Sequence, residues 1–169
     1  VEFVQADLSS QAEIRQLAQH FKSRYQRLDV LVNNAGAMFA QRQESVDGLE
    51  MTFALNYLGY FLLANLLLDT LKASAPARII NVSSRSHARA KINFDDLQSR
   101  SNYEGLKAYA HSKLAIVLLS LIHISEPTRL LSISYAVFCL KKKKNTHKNE
   151  TKTNENKKQQ NKDNTDIQT

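Results

Sequence analysis

The chain has no tryptophan, one cysteine, two prolines and four glycines in 169 residues. A single thiol, Cys139, excludes a disulfide framework and a cysteine-based zinc site. So little glycine and proline excludes collagen-like and low-complexity architectures for the bulk of the chain. No apolar run reaches the roughly 20 residues that cross a bilayer; residues 114–124 and 130–140 both stop well short. No basic leader with a small-residue cleavage site opens the chain, so no secretion signal is expected. The first residue is Val1 rather than Met, and the chain reads as a piece of something longer. No His, Cys, Asp and Glu cluster has metal-ligand spacing, so no metal is expected. Charge of one sign is also missing where it would matter. Residues 1–118 hold 13 Lys+Arg against 11 Asp+Glu, while residues 119–169 hold 10 against 5. The net charge of +7 therefore resides mostly in the last third, and no nucleic-acid partner is expected from the first two-thirds.

What is present is the composition of a soluble globular domain, 43% hydrophobic and 23% charged. Residues 1–6 form a short β-type run ending at Asp7. Ser10-x-x-Glu13 fits a capping box, and Ile14, Leu17, Ala18, Phe21 and Tyr25 follow at helical spacing. Residues 28–32 are an apolar run too short for a helix, closed by Asn33-Asn34-Ala35-Gly36. Residues 44–72 read as helix, apolar on more than one face. Residues 77–82 make a further unalternated strand ending in Ser83-Ser84, and a last helix is expected from Gly105 to about Leu118. The order β-α-β-α-β-α with continuous apolar strands predicts an α/β fold, a parallel sheet with helices on both faces. Ligands of such sheets bind at the carboxyl ends of the strands, which here carry Asp7, residues 33–36 and Ser83-Ser84.

Each polar feature alone has an ordinary structural use. Asn and Gly make turns, Ser83-Ser84 serves as a cap, and Asn56 serves as a satisfied core amide. Tyr109-x-x-x-Lys113 arises readily by chance in a chain with six tyrosines and many lysines. His87 and His111 read as a polar loop residue and a helix residue. Taken together, in this order and spacing, they resemble the short-chain dehydrogenase/reductase family over residues 1 to about 118. The stretch 87–105, with Lys91-Ile92-Asn93-Phe94-Asp95-Asp96-Leu97-Gln98, resembles its retinol dehydrogenase-like and WW-domain oxidoreductase-like branch.

The resemblance implies a Rossmann-like, doubly wound parallel sheet represented by its third to fifth strands with flanking helices. It implies hydride transfer between NAD or NADP and an apolar alcohol or carbonyl compound, with NADP slightly favoured by the branch. A phenol ordinarily ionises near pH 10, and a lysine four residues along the same helix face favours the phenolate. By resemblance Tyr109 is the general acid/base and Lys113 its partner and ribose contact. Ser84 holds the substrate oxygen and Asn56 a water of the proton relay. Asp7, Asn34, Ala35 and Gly36, together with Tyr109 and Lys113, line the cofactor. The family's glycine-rich phosphate turn, substrate lid and later strands are not in this sequence, so the chain is expected to be inactive on its own. A cytoplasmic location and a homodimer of the full-length form are expected on the same ground. The different-class alternative is a non-catalytic Rossmann-fold scaffold with a basic tail, which would have no physical need to keep Asn56, Ser84, Tyr109 and Lys113 together.

Beyond Leu118 the pattern changes abruptly. LSLIHISEPTR, at 119–129, is one translated frame of a transposase-type sequencing adapter, and 133–140 and 141–144 match its continuation and a run of adenines. Residues 119–169 are accordingly expected to be a non-native or disordered tail, rich in Lys, Asn and Thr with almost nothing to bury.

Overall fold

In the computed structural model, residues 1–125 and 133–137 are described. Helix α1 spans Gln11–Arg24, capped by Ser10, whose hydroxyl accepts from the Glu13 amide. Only half of the predicted capping box forms. The Glu13 carboxylate accepts from the Asp7 amide, and the Ser10 amide donates to the Asp7 carbonyl instead. Strand β1 is Val30–Asn33 and β2 is Ala77–Asn81, close to the sequence reading. Ile14 and Ala18 of α1 are buried. Ala18 joins Leu67, Leu71, Ala77 and Ile79 in the main apolar cluster, flanked by Phe21, Leu28 and Leu31. Each fully buried Leu or Ile there contributes about 1.5–3 kcal/mol.

The long helix expected over 44–72 is divided. Residues 44–50 form a small loop in which Glu44 and Glu50 bridge antiparallel and Gly48 turns the chain at φ 71°, a value that disfavours helix. The helical stretch starts where the buried Glu50 carboxylate accepts from the Thr52 and Phe53 amides. It runs as α2 (Met51–Phe53), a π-helical turn (Ala54–Leu58), α3 (Gly59–Leu66) and α4 (Leu68–Ala73).

Strands β1, β2 and β3 (Ile133–Val137) are parallel and lie in sequential order. When right-handed crossovers all step in one direction, their helices fall on one face. Among the described residues the helices do so, and the opposite face shows Val30 and Val32, 45% and 54% exposed. Burial along β1 thus alternates, and the second face of this doubly wound sheet is uncovered among the described residues. Residues 1–6 form no strand: an extended segment needs a hydrogen-bonded neighbour, and β1 pairs only with β2 among the described residues. Phe3 is accordingly exposed.

Helix α5 runs from Gly105 to Ser125 rather than stopping near Leu118, because 119–125 continues with helix-compatible residues and no breaker. Residues 133–137, expected in the tail, pair with β2. Their β-branched and aromatic sequence, ISYAV, suits an open sheet edge. The rest of the expected tail lies outside the described residues.

Candidate active site

The carboxyl ends of β1 and β2 carry a buried polar network. Asn33 donates to the Asn81 side chain at 2.8 Å, Asn81 donates to Ser120 Oγ at 3.0 Å, and Ser120 donates to the Ile116 carbonyl. The network locks α5 against the sheet just where β1 passes into residues 34–37. Residues 34–36 are exposed at that end. Asn56 then holds the turn from the other side. Ala37 donates to Asn56 Oδ1 at 2.9 Å, and Asn56 Nδ2 donates to the Ala37 carbonyl and to Ser112 Oγ, both at 3.0 Å. Asn56 is fully buried and sits inside the π-helical turn, an insertion that recurs at functional sites. Both of its side-chain donors are thus committed to protein partners.

Lys113 is 3% exposed, and its ammonium donates to the Val82 carbonyl at 3.0 Å. It lies 5.7 Å from the centroid of the Tyr109 ring and 5.8 Å from that of Tyr60. No carboxylate faces it among the described residues. Burial holds its pKa below the ordinary lysine value. Ser83 donates to the Lys113 carbonyl and so ties the end of β2 to α5. The structure therefore brings Asn56, Tyr109, Lys113 and the 34–37 turn into one cluster.

Ser84 caps a 3₁₀ turn, Arg85–Arg89, and its hydroxyl accepts from the Ser86 amide and hydroxyl. It lines a cavity of about 690 Å³ together with Ala110, the neighbour of Tyr109 on α5. Asp7 stands apart from the cluster. It is exposed and its carboxylate accepts from the Ser9 amide and hydroxyl at 2.8 Å, forming the turn before α1.

Three contributors escaped the sequence reading. Tyr60 donates to the Ala35 carbonyl at 2.8 Å, and burial first, then the Tyr109 charge, pushes its own pKa up to about 12. Its spacing of four residues from Asn56 on one helical stretch was the available signal. Ser112 accepts from Asn56 and donates to the Tyr109 carbonyl at 2.8 Å. Ser83 was noticed only as the partner of Ser84. Replacing Ser112 by alanine leaves a buried Asn56 donor without its acceptor. The expected cost is about 1–3 kcal/mol in urea denaturation; an unchanged midpoint would show that Asn56 is held by Ala37 alone.

His111 stacks on Phe53 at 5.5 Å and is 7% exposed, with no hydrogen-bond partner for Nε2 among the described residues. Burial depresses its pKa below 6.5, opposed by the charges of Glu50 and Asp96. A depressed folded-state value means that protonation favours unfolding. Stability is therefore full above the unfolded value and falls as pH drops below it towards the folded one. The urea midpoint is expected to be lower at about pH 5.5 than at about pH 7.5, and His111→Phe should remove most of that difference. An identical slope in the variant would exclude His111 as the source.

Parallel strands with helical crossovers, and a Tyr-x-x-x-Lys pair whose lysine reaches the Val82 carbonyl just past β2, define a Rossmann-type α/β protein. The chain belongs to the short-chain dehydrogenase family, whose sequence profile, described as short chain dehydrogenase, matches residues 1–126. Polyprenol dehydrogenase from Homo sapiens is 52% identical over 124 residues, covering 71% of this chain and 38% of that protein. Retinol dehydrogenase 13 from Homo sapiens is 50% identical over 115 residues, covering 68% of this chain and 35% of that one. The chain thus spans somewhat over a third of the length of these curated relatives. Among solved structures, an uncharacterised protein from Mycobacterium paratuberculosis superimposes with a TM-score of 0.68 at 33% identity, covering 81% of this chain and 50% of that one. A complex of Pseudomonas aeruginosa RhlG with NADP gives 0.59 at 34% identity, covering 79% and 50%. No helix among the described residues is long and apolar enough to cross a membrane.

Proposed function

We propose that this segment carries the proton-transfer centre of an NAD(P)-dependent oxidoreductase that interconverts an apolar alcohol and its aldehyde or ketone. The observation that carries the reading is the buried Lys113 ammonium, without a carboxylate partner among the described residues, set against the Tyr109 ring. The residues present fit the nicotinamide end of such a cofactor. A Cβ on Gly36 would lie 3.0 Å from Asn56 Oδ1 and 3.3 Å from Lys113 Nζ, so the exposed turn meets both groups with no side chain between. Val82 takes one of the three ammonium protons, and the others suit ribose hydroxyls. Asn34 and Ala35 add exposed backbone at the same strand end, and Asp7 is assigned to the adenine end.

When bound, the cofactor supplies or accepts the hydride. In the oxidising direction Ser84 donates a hydrogen bond to the substrate oxygen, and Tyr109, as the phenolate, takes the hydroxyl proton as the hydride leaves the carbon. Lys113 holds its ammonium 5.7 Å from the centroid of the Tyr109 ring. Asn56 acts as a positioning residue that keeps the 34–37 turn and Ser112 in place. The branch resemblance, the names of the relatives and the NADP complex of a 34% identical protein favour NADP and an apolar alcohol.

The test is to supply NADPH or NADH and a series of apolar aldehydes and ketones to the protein that bears this segment. Consumption of reduced nicotinamide in step with alcohol formation is expected. No consumption with either cofactor across the series overturns the reading. The same reading takes residues 119–144 as translated adapter; a source genome that encodes them in frame overturns that part.

A further inference from the structure

The cavity beside Ser84 has a feature that apolar-alcohol chemistry does not require. Its inner end carries Ser84 and the buried Ala110, and Leu106 and Ala90 add apolar wall. Its exposed rim carries Arg85, Arg89, Lys91 and Lys107, and no carboxylate lines it. Lys107 is paired with Glu104 at 2.5 Å. Arg85, Arg89 and Lys91 have no ion pair and no side-chain hydrogen bond among the described residues. Like charges gathered on a cleft wall repel one another and focus a positive potential into it. Guanidinium and ammonium groups held this way are matched by carboxylate or phosphate oxygens.

We propose that this cavity takes an anionic amphiphile. Its carboxylate or phosphate sits among Arg85, Arg89 and Lys91, and its apolar part runs along Leu106 and Ala90 towards Ser84. The proposal rests on the reading of Ser84 and Tyr109 as the reactive end and refines the substrate from an apolar alcohol to one with an acidic group remote from the reacting carbon. The rim supplies orientation, since an amphiphile anchored by its charged end can present only its other end to Ser84. The same anion chemistry is offered by a free substrate and by a phospholipid headgroup, and the experiment separates the two.

Dodecyl phosphate and dodecanol are titrated by calorimetry into the full 169-residue chain, below the micellar concentration of the phosphate and the solubility limit of the alcohol. The phosphate is expected to bind at least about tenfold more tightly at low salt, a preference that fades as salt is added and falls towards unity in the Arg89→Gln, Lys91→Gln double variant. Should that variant fail to fold, the single variants Arg89→Gln and Lys91→Gln decide, each expected to lose part of the preference. Tyr109→Phe should leave the preference intact, so a failed catalytic assay and a failed binding assay are separate results. In parallel the chain is floated with phosphatidylcholine vesicles with and without phosphatidylglycerol. Retention on the anionic vesicles alone, with no preference for the free phosphate, assigns the anion to a lipid headgroup; the converse assigns it to a soluble substrate. Equal affinity for phosphate and alcohol, with no preference for anionic vesicles, overturns the proposal.

Discussion

In the protein that bears this segment, replacing Tyr109 by phenylalanine is expected to lower kcat by between about 10²- and 10⁴-fold, the range that a positioned general acid or base contributes. The ring stays, so its contact with the Lys113 ammonium at 5.7 Å from the centroid and the packing of α5 are retained. Only the hydroxyl that exchanges the proton is removed, so KM should change little while kcat collapses. The companion variant Lys113→Met keeps the buried volume and removes the charge. It should raise the KM for the cofactor, because the ammonium proposed to hold the ribose hydroxyls is gone. Steady-state kinetics checks both, and full turnover by Tyr109→Phe would remove Tyr109 from the chemistry. A neighbouring phenol cannot substitute. Tyr60 is held to the Ala35 carbonyl and its pKa is pushed up to about 12.

Gly105→Ala is expected to destabilise the fold by about 2 kcal/mol. An alanine Cβ at this position would lie 2.2 Å from the Phe39 carbonyl oxygen and 3.1 Å from its carbon, both backbone atoms that cannot rotate away. Forcing the two segments apart costs about 1–3 kcal/mol or more, and the helix-propensity gain of alanine, at most about 1 kcal/mol, does not offset it. The Phe39 carbonyl also accepts from the Tyr103 hydroxyl at 3.0 Å, whose one proton is shared with the carboxylate of Glu50, the cap of α2, at 3.3 Å. Displacement therefore propagates to the helical stretch carrying Asn56 and to the start of the helix carrying Tyr109 and Lys113. Urea denaturation measures the loss; an unchanged midpoint would show that the 39–40 loop yields freely.

Strand positions 28–32 and 77–82 were legible because short apolar runs bounded by turn residues have few alternatives. Helix α1 was legible from its cap and apolar stripe. The break at 44–50 was not, because the helical pattern of 51–72 extends by chance into a loop whose course is decided by Gly48 at positive φ and by the Glu50 carboxylate. The strand at 1–6 failed for the opposite reason: its residues suit a strand, but a strand exists only against a partner.

The site divides along the same line. Tyr109 and Lys113 share a helix face, so four-residue spacing alone put them together, and residues 33–36 and Ser84 were placed by standing at strand ends. The sequence by itself thus determined the chemistry-bearing residue types, the α/β class and the strand ends where they gather. Only tertiary structure decided that Asn56 clamps Ala37 and Ser112, that Tyr60 anchors Ala35, that Lys113 is buried without a carboxylate partner among the described residues, and that the helices lie on one face of the described sheet. Those outcomes depend on atoms far apart in the chain meeting at hydrogen-bond distance. Local periodicity reports on neighbours three or four residues away and carries no information about such meetings.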